Sequence, residues 1–228
     1  MQDKGVPSPT IDELDRIAIA PLRRRPSQRR SARRVERMLD ACAELLDEVG
    51  YEALSTTRIA QRAGVAIGSL YQFFPDKRAI SRALTARNAE RFVARVGRRF
   101  IVEEFATVWE AIDAIIDEYV DMHRTVPGFR SLRLADVADL HMLDSVADAA
   151  AVIVGRLRAL LLADYGVADS EELDRAMLVA AEAADAVLKL AFRRDPQGDA
   201  AIIAEAKQIV RDCLDRRPYA LRVTRRNV

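Results

Sequence analysis

At 228 residues, half of them apolar, the chain is long enough for one large or two small domains with a sizeable core. It contains no run of about 18 or more apolar residues, and no charged stretch leading into an apolar leader. A membrane span and a secretory signal are therefore not expected, and a cytoplasmic location is. Cys42 and Cys213 are the only cysteines and lie far apart, so a disulfide framework is not implied and a zinc site would lack sulfur ligands at motif spacing; they read as core thiols. The net charge of +1 conceals a polarity, since Pro21 to Phe100 carries 18 Lys/Arg against 8 Asp/Glu and the remainder 18 against 27. Such a split points to a basic half that meets a polyanion and an acidic half that does not; the competing reading is a chance distribution of solvated faces.

In chain order, residues 1–22 read as a flexible tail, with Gly5, Pro7 and Pro9 and then a marginal amphipathic run at Ile11, Leu14 and Ile17. From Arg23 to Arg37 there are eight arginines and one acid, Glu36. Val35, Met38, Leu39, Cys42, Leu45, Leu46 and Val49 then recur at helical spacing, and Gly50 ends that helix. Ser55 and Thr56 are helix-capping types for a short helix through Ile59, Ala60 and Ala63, closed by Gly64. A second short helix is predicted over Ile67–Phe74, and a long one from Asp76 to about Val96 or beyond, with Pro75 suited to its first turn. Thr107 and Glu110 form a capping box for a helix through Ile112, Ile116 and Tyr119, interrupted at Pro127-Gly128. Further helices are expected around Phe129–Leu134, over about Leu140–Tyr165, from Asp169 with Glu172 to about Arg193, and over about Asp199–Asp215 after an Asp-Pro-Gln-Gly turn. Residues 216–228 form a basic tail. No strand-like alternation persists, so the fold class is all-α.

The segment Thr56 to Lys77 reads as helix, tight turn, helix. Small Ala60 lets the second helix cross closely over the first, Gly64 supplies the positive φ a sharp turn requires, and Val65 fills the angle between them. Leu70 and Phe74 face back toward Ile59, Leu39, Cys42 and Leu46. That assignment leaves Ile67, Gly68, Ser69, Tyr71, Gln72 and Phe73 to face outward. An exposed Tyr beside a Phe is costly unless a partner uses it, and a DNA major groove is such a partner. Ala66 or Ile67 suits thymine methyl groups and Gln72 suits adenine. Tyr71, Ser69, Thr56, Thr57, Arg58 and Lys77 suit the flanking phosphates, with Lys77 also at a helix start that favours anions. The other reading puts Tyr71 and Phe73 in a core or a protein interface. Arg29 and Arg30, with Arg33 and Arg34, oppose the dipole of the first helix, so folding alone does not explain them. Phosphate or minor-groove contact does, against the reading of a solvated basic linker.

The stretch Gly64-Val65-Ala66-Ile67-Gly68-Ser69-Leu70-Tyr71-Gln72-Phe73-Phe74-Pro75-Asp76-Lys77, preceded by Thr56, Ile59 and Ala60, resembles the TetR family of repressors. The resemblance spans roughly Ser31 to Ala83, and the tyrosine followed by Phe-Pro-Asp-Lys makes it specific. Ala66 departs from the pattern where a hydroxyl residue often caps the helix, and Phe73 where His or Tyr is common. The resemblance implies a homodimer on a near-palindromic operator. It also implies a helix-turn-helix domain over 23–82 and a helical ligand-binding and dimerisation domain over 83–215.

The resemblance further implies a ligand cavity among the middle helices, for an unidentified and largely apolar small-molecule effector. Its candidate lining is Trp109, Tyr119, His123, Phe129, Leu132, His141 and Met142, with Asp185 and Lys189 as polar groups. His123 and His141 read equally as structural or surface histidines. A metal would need both, with carboxylates such as Asp121 or Asp144, and none is expected; nor is a cofactor. The alanine-rich penultimate helix and the last helix would form a four-helix bundle across a two-fold axis. Ala180, Ala184, Val187, Ala191, Ile203, Ala206 and Val210 are its candidate contacts, and ordinary intrachain core is the alternative. The expected function is a ligand-released transcriptional repressor, not an enzyme. An all-α enzyme or carrier with a basic surface, and a ligand-free regulator acting through protein contacts, are the competing classes; no catalytic triad, phosphate loop or metalloprotease motif is legible.

Overall fold

A computed structural model describes residues 29–131, 153–163, 165 and 169–215. The tails, the arginines before Arg29, and Leu132, His141 and Met142 lie outside the described residues. Helix α1 spans Arg29–Val49, α2 Thr56–Arg62, α3 Ile67–Tyr71, α4 Lys77–Val102, α5 Val108–Thr125, α6 Glu171–Arg194 and α7 Ala200–Asp215. Helical turns also occupy 129–131 and 153–163.

Local chemistry sets most of these limits. Gly50 takes φ +72° after α1, a left-handed conformation that costs glycine least. Ser55, Thr107 and Ser170 are N-caps whose hydroxyls accept from Arg58 N, Glu110 N and Leu173 N. Glu110 reaches back to accept from Ala106 N at 2.8 Å, one residue before the cap itself. Three boundaries differ from expectation. Ser170, not Asp169, caps α6. Helix α3 stops at Tyr71 rather than Phe74. Asp76 lies outside α4 as its cap, accepting from Ala79 N at 2.8 Å, so Pro75 precedes the helix instead of sitting in its first turn.

Two hydrophobic cores meet on α4. The N-terminal one joins α1, α2 and α3 through Met38, Cys42, Leu46, Ile59, Leu70 and Phe74 to Ile80 and Leu84. The other joins α5, the 153–163 segment, α6 and α7 to Phe92, Val96 and Phe100. Charged pairs lie along the seams. Arg62 pairs with Glu44 at 3.2 Å and Glu48 at 2.6 Å, fixing α2 on α1. Arg87 on α4 bridges Glu36 and Asp40 on α1 at 3.0 and 2.7 Å. Arg95 pairs with Glu118 and Asp121 of α5, and Lys207 of α7 with Asp117 at 2.5 Å. Pairs with at least one solvent-exposed member stabilise by roughly 0–1 kcal/mol each where screening is full, so burial of the cores carries the fold and the pairs set register.

One close approach ties the two halves together beyond α4. Gly128 N donates to Asp47 Oδ2 at 2.8 Å and Ser131 Oγ to Asp47 Oδ1 at 2.7 Å, docking the turn that follows α5 on α1. Gly128 has φ +72°, and a Cβ there would lie 2.7 Å from Ala43 Cα. Replacing Gly128 with Ala is expected to cost about 2 kcal/mol or more, from the strained φ and the overlap together. Urea unfolding checks it; an unchanged midpoint and slope would show that the two halves do not rest on this contact.

Burial also decides the thiol chemistry. Cys42 is fully buried in the N-terminal core, and burial pushes its thiol up to about 12, whereas Cys213 on α7 is half-buried. Because thiolate is the reactive form, a thiol reagent at neutral pH is expected to label Cys213 in the native protein and Cys42 only after unfolding. Rapid native labelling of Cys42, read by mass spectrometry, would contradict a closed N-terminal core.

Candidate functional site

The bend at Gly64, with φ +63°, aims α3 across α2. Val65 N donates to Ala60 O at 3.0 Å and half-buried Val65 packs on the N-terminal core. Ala66 is the N-cap of α3 and makes no side-chain cap bond, as its methyl requires. Leu70 is fully buried and fixes the rotation of the short helix, leaving Ile67 40% and Tyr71 44% exposed. Ala66, Gly68 and Gln72 are also exposed and Ser69 is half-exposed. Together they form a neutral surface of small, aromatic and amide groups, the chemistry that suits base edges.

The flanking polar residues divide. Thr57 and Arg58 are exposed, Arg58 Nη1 donating to Ala53 O at 3.0 Å. Thr56 Oγ1 and the Tyr71 hydroxyl lie 3.1 Å apart, so two groups read separately from sequence form one hydrogen-bonded pair bridging α2 and α3. Arg29 and Arg30 fall in the first turn of α1, and Arg33 one turn on is exposed.

One expectation is corrected, and one side chain has contacts the sequence did not show. Phe73 does not face outward: it is 5% exposed and belongs to the N-terminal core. The helical period ends with α3 at Tyr71; beyond it Phe73 N closes on Leu70 O at 3.0 Å and the chain turns the ring inward. Lys77 is half-buried and also has contacts within the protein. Its Nζ donates to Tyr51 O at 3.1 Å and sits 4.6 Å above the Tyr51 ring, so its charge clamps the loop after α1.

In the C-terminal half a cavity of about 180 Å³ opens between α4, α5, α6, α7 and the 153–163 segment. Its wall is largely aliphatic and aromatic, including Phe92, Ile112, Leu157, Leu161, Met177 and Leu188. Of the sequence candidates, Tyr119, Phe129 and Asp185 line it. Asp185 accepts from the Tyr119 hydroxyl and pairs with Lys189 at 3.0 Å, so Lys189 acts from behind the wall. His123 is buried and also stands behind the wall, stacked on Phe192 at 4.4 Å with Tyr119 and Phe129 edge-on to it. Trp109 packs on the C-terminal core away from the cavity. The sequence reading missed Thr85 and Asn88, which line the cavity from α4. The available signal was a polar strip, Ser81, Thr85 and Asn88, falling in step with Phe92 on the buried face of α4.

The proposed subunit contacts need the largest correction. Ala180, Ala184, Ala191, Ile203, Ala206 and Val210 are all buried within this one chain. The alanines bring α6 and α7 close to each other, so they have no surface left for a partner. Val187 is half-buried. The large exposed apolar groups on α6 are Leu178, Val179 and Leu190.

The family model described as bacterial regulatory proteins, tetR family, matches residues 38–84, and that described as tetracyclin repressor-like, C-terminal domain, matches residues 106–217. The chain is 42% identical over 62 residues to the transcriptional repressor KstR of Rhodococcus jostii, covering 27% of this chain and 29% of that repressor. The curated relatives matched are each spanned over less than half their length. A TetR-family transcriptional regulator from Streptomyces coelicolor is 42% identical, with TM-score 0.65 over 82% of this chain and 98% of that one. FadR of Thermus thermophilus, solved in complex with lauroyl-CoA, shares the fold at 18% identity, with TM-score 0.54 over 79% of this chain and 93% of that one. With both family models matched in order and a relative spanned almost end to end, the chain belongs to the TetR family of bacterial transcriptional regulators.

Proposed function

We propose that this chain is a homodimeric repressor that holds operator DNA through α3 and releases it when a small, largely apolar molecule enters the C-terminal cavity. The observation that carries the reading is the outward face of α3: Ile67 and Tyr71 are exposed on a helix whose opposite side, Leu70, is fully buried. Large apolar groups held at the surface by a rigid support are what a groove-reading helix needs. Ile67 and Ala66 would meet thymine methyls, Gln72 a base edge, and the Thr56–Tyr71 pair, Ser69, Thr57 and Arg58 the backbone. The arm leading into Arg29 and Arg30 would add contacts that are indifferent to sequence.

The dimer would use the outer side of α6, where Val179, Ala186 and Leu190 recur at helical spacing and are exposed. Two copies place two α3 helices, and half-sites about one helical turn apart demand a fixed separation of roughly 34–36 Å. The route from cavity to DNA would be short. Phe129 lines the cavity while its neighbour Gly128 is bonded to Asp47 on α1, and α4 runs from the cavity wall into the N-terminal core. A ligand that moves either would change the spacing.

Tyr71→Ala is expected to weaken binding to the chain's own upstream region by about tenfold or more in fluorescence anisotropy, with helicity unchanged. Phe73→Ala is expected instead to cost about 3–5 kcal/mol in denaturant unfolding. Failure of the wild type to prefer any such DNA over random duplex at low salt would defeat the proposal. For the dimer, Val179→Glu with Leu190→Glu is expected to give a helical monomer by light scattering, with operator affinity lost. A double variant that stays dimeric would move the interface elsewhere.

A further inference from the structure

Asn88 sits in the cavity wall as the one polar side chain there whose bonding is open among the described residues. It is 3% exposed, and neither its Nδ2 nor its Oδ1 has a hydrogen-bond partner. The other polar groups of the wall are engaged or face solvent. Thr85 Oγ1 donates to Ser81 O at 3.1 Å, Asp185 is held by Tyr119 and Lys189, and Glu182 is exposed. A buried amide with both ends unpaired costs about 1–3 kcal/mol or more unless something completes it, and Ala89 and Phe92 beside it are apolar. The described lining residues include no Lys or Arg.

Resting on the effector-cavity reading above, we propose that Asn88 is the polar recognition point for the effector, and that the effector is an uncharged, mostly apolar molecule presenting a carboxamide, or a similar adjacent carbonyl and donor, to this side chain. The amide offers one acceptor and one donor pair side by side, which a carboxamide matches at two points. A carboxylate head would leave Nδ2 satisfied but Oδ1 facing like charge, with the Asp185 carboxylate also in the wall. Its lost hydration would have no cation among those residues to offset it. The aliphatic remainder of the wall takes the apolar body.

Equilibrium dialysis of the wild type with decanamide, 1-chlorodecane and sodium decanoate tests this, alongside operator release by anisotropy. Decanamide is expected to bind about tenfold tighter than either of the others. In Asn88→Leu, and in the smaller Asn88→Ala, the preference over 1-chlorodecane is expected to vanish while Asn88→Leu keeps or gains thermal stability. Equal binding of decanamide and 1-chlorodecane to wild type, preference for decanoate, no saturable binding of any of the three, or unfolding of both variants would overturn the inference. Asn88-dependent decanamide binding that leaves operator affinity unchanged would support the subsite and overturn ligand-controlled release instead.

Discussion

Helix α4 is the physical constraint on which both halves depend. Its first turns, at Ala79, Ile80, Ala83 and Leu84, are buried in the N-terminal core, and its later turns, at Phe92, Val96 and Phe100, in the C-terminal one. Its 26 residues span about 39 Å at the helical rise. Gly97 does not interrupt it, so there is no joint at which the two cores hinge. Asn88 stands between the two sets of contacts, and Arg87 next to it is held by Glu36 and Asp40 of α1. Close-packed interiors do not deform smoothly. A displacement at the cavity end of α4 therefore arrives at Ile80 and Leu84, under Leu70 and Phe74, as movement of a rod. The Asp47 contact with Gly128 and Ser131 provides a second, independent attachment on α1. Two points of attachment define an orientation, which one would leave loose.

Much of this was legible in the sequence, wherever a local rule fixes a backbone state. The stop at Gly50, the caps at Ser55 and Thr107, the sharp turn at Gly64 and the buried positions Leu70 and Phe74 each follow from residue chemistry within a few positions. The failures share a different cause. The helical period ends at Tyr71 and does not reach Phe73, whose direction depends on how the chain turns over the core. The alanines of α6 announce a close helix neighbour but not which one, and within this chain that neighbour is α7. The second set of contacts of Lys77 was hidden because Tyr51, whose ring and carbonyl meet it, is distant in sequence. Asn88 was legible only as an oddity on an apolar face, because its meaning depends on the cavity that four helices and the 153–163 segment enclose together.

The separation of charge takes a finer form in three dimensions. Several cations of the basic third are committed inside the protein: Arg62 to Glu44 and Glu48, Arg87 to Glu36 and Asp40, Lys77 to the loop at Tyr51. The Glu48 carboxylate is held below its usual range chiefly by its hydrogen bonds from Arg62. Helix α3 itself carries no charged residue. In the proposed operator complex, the attraction to phosphate thus comes from exposed residues outside α3, such as Arg33 and Arg58, and not from α3 itself. Attraction that depends on salt and not on sequence is then separate in space from discrimination by Ile67, Tyr71 and Gln72. That arrangement lets a small change in the spacing of two α3 helices abolish recognition while the general affinity for DNA remains, so release from one site need not mean release from the polymer.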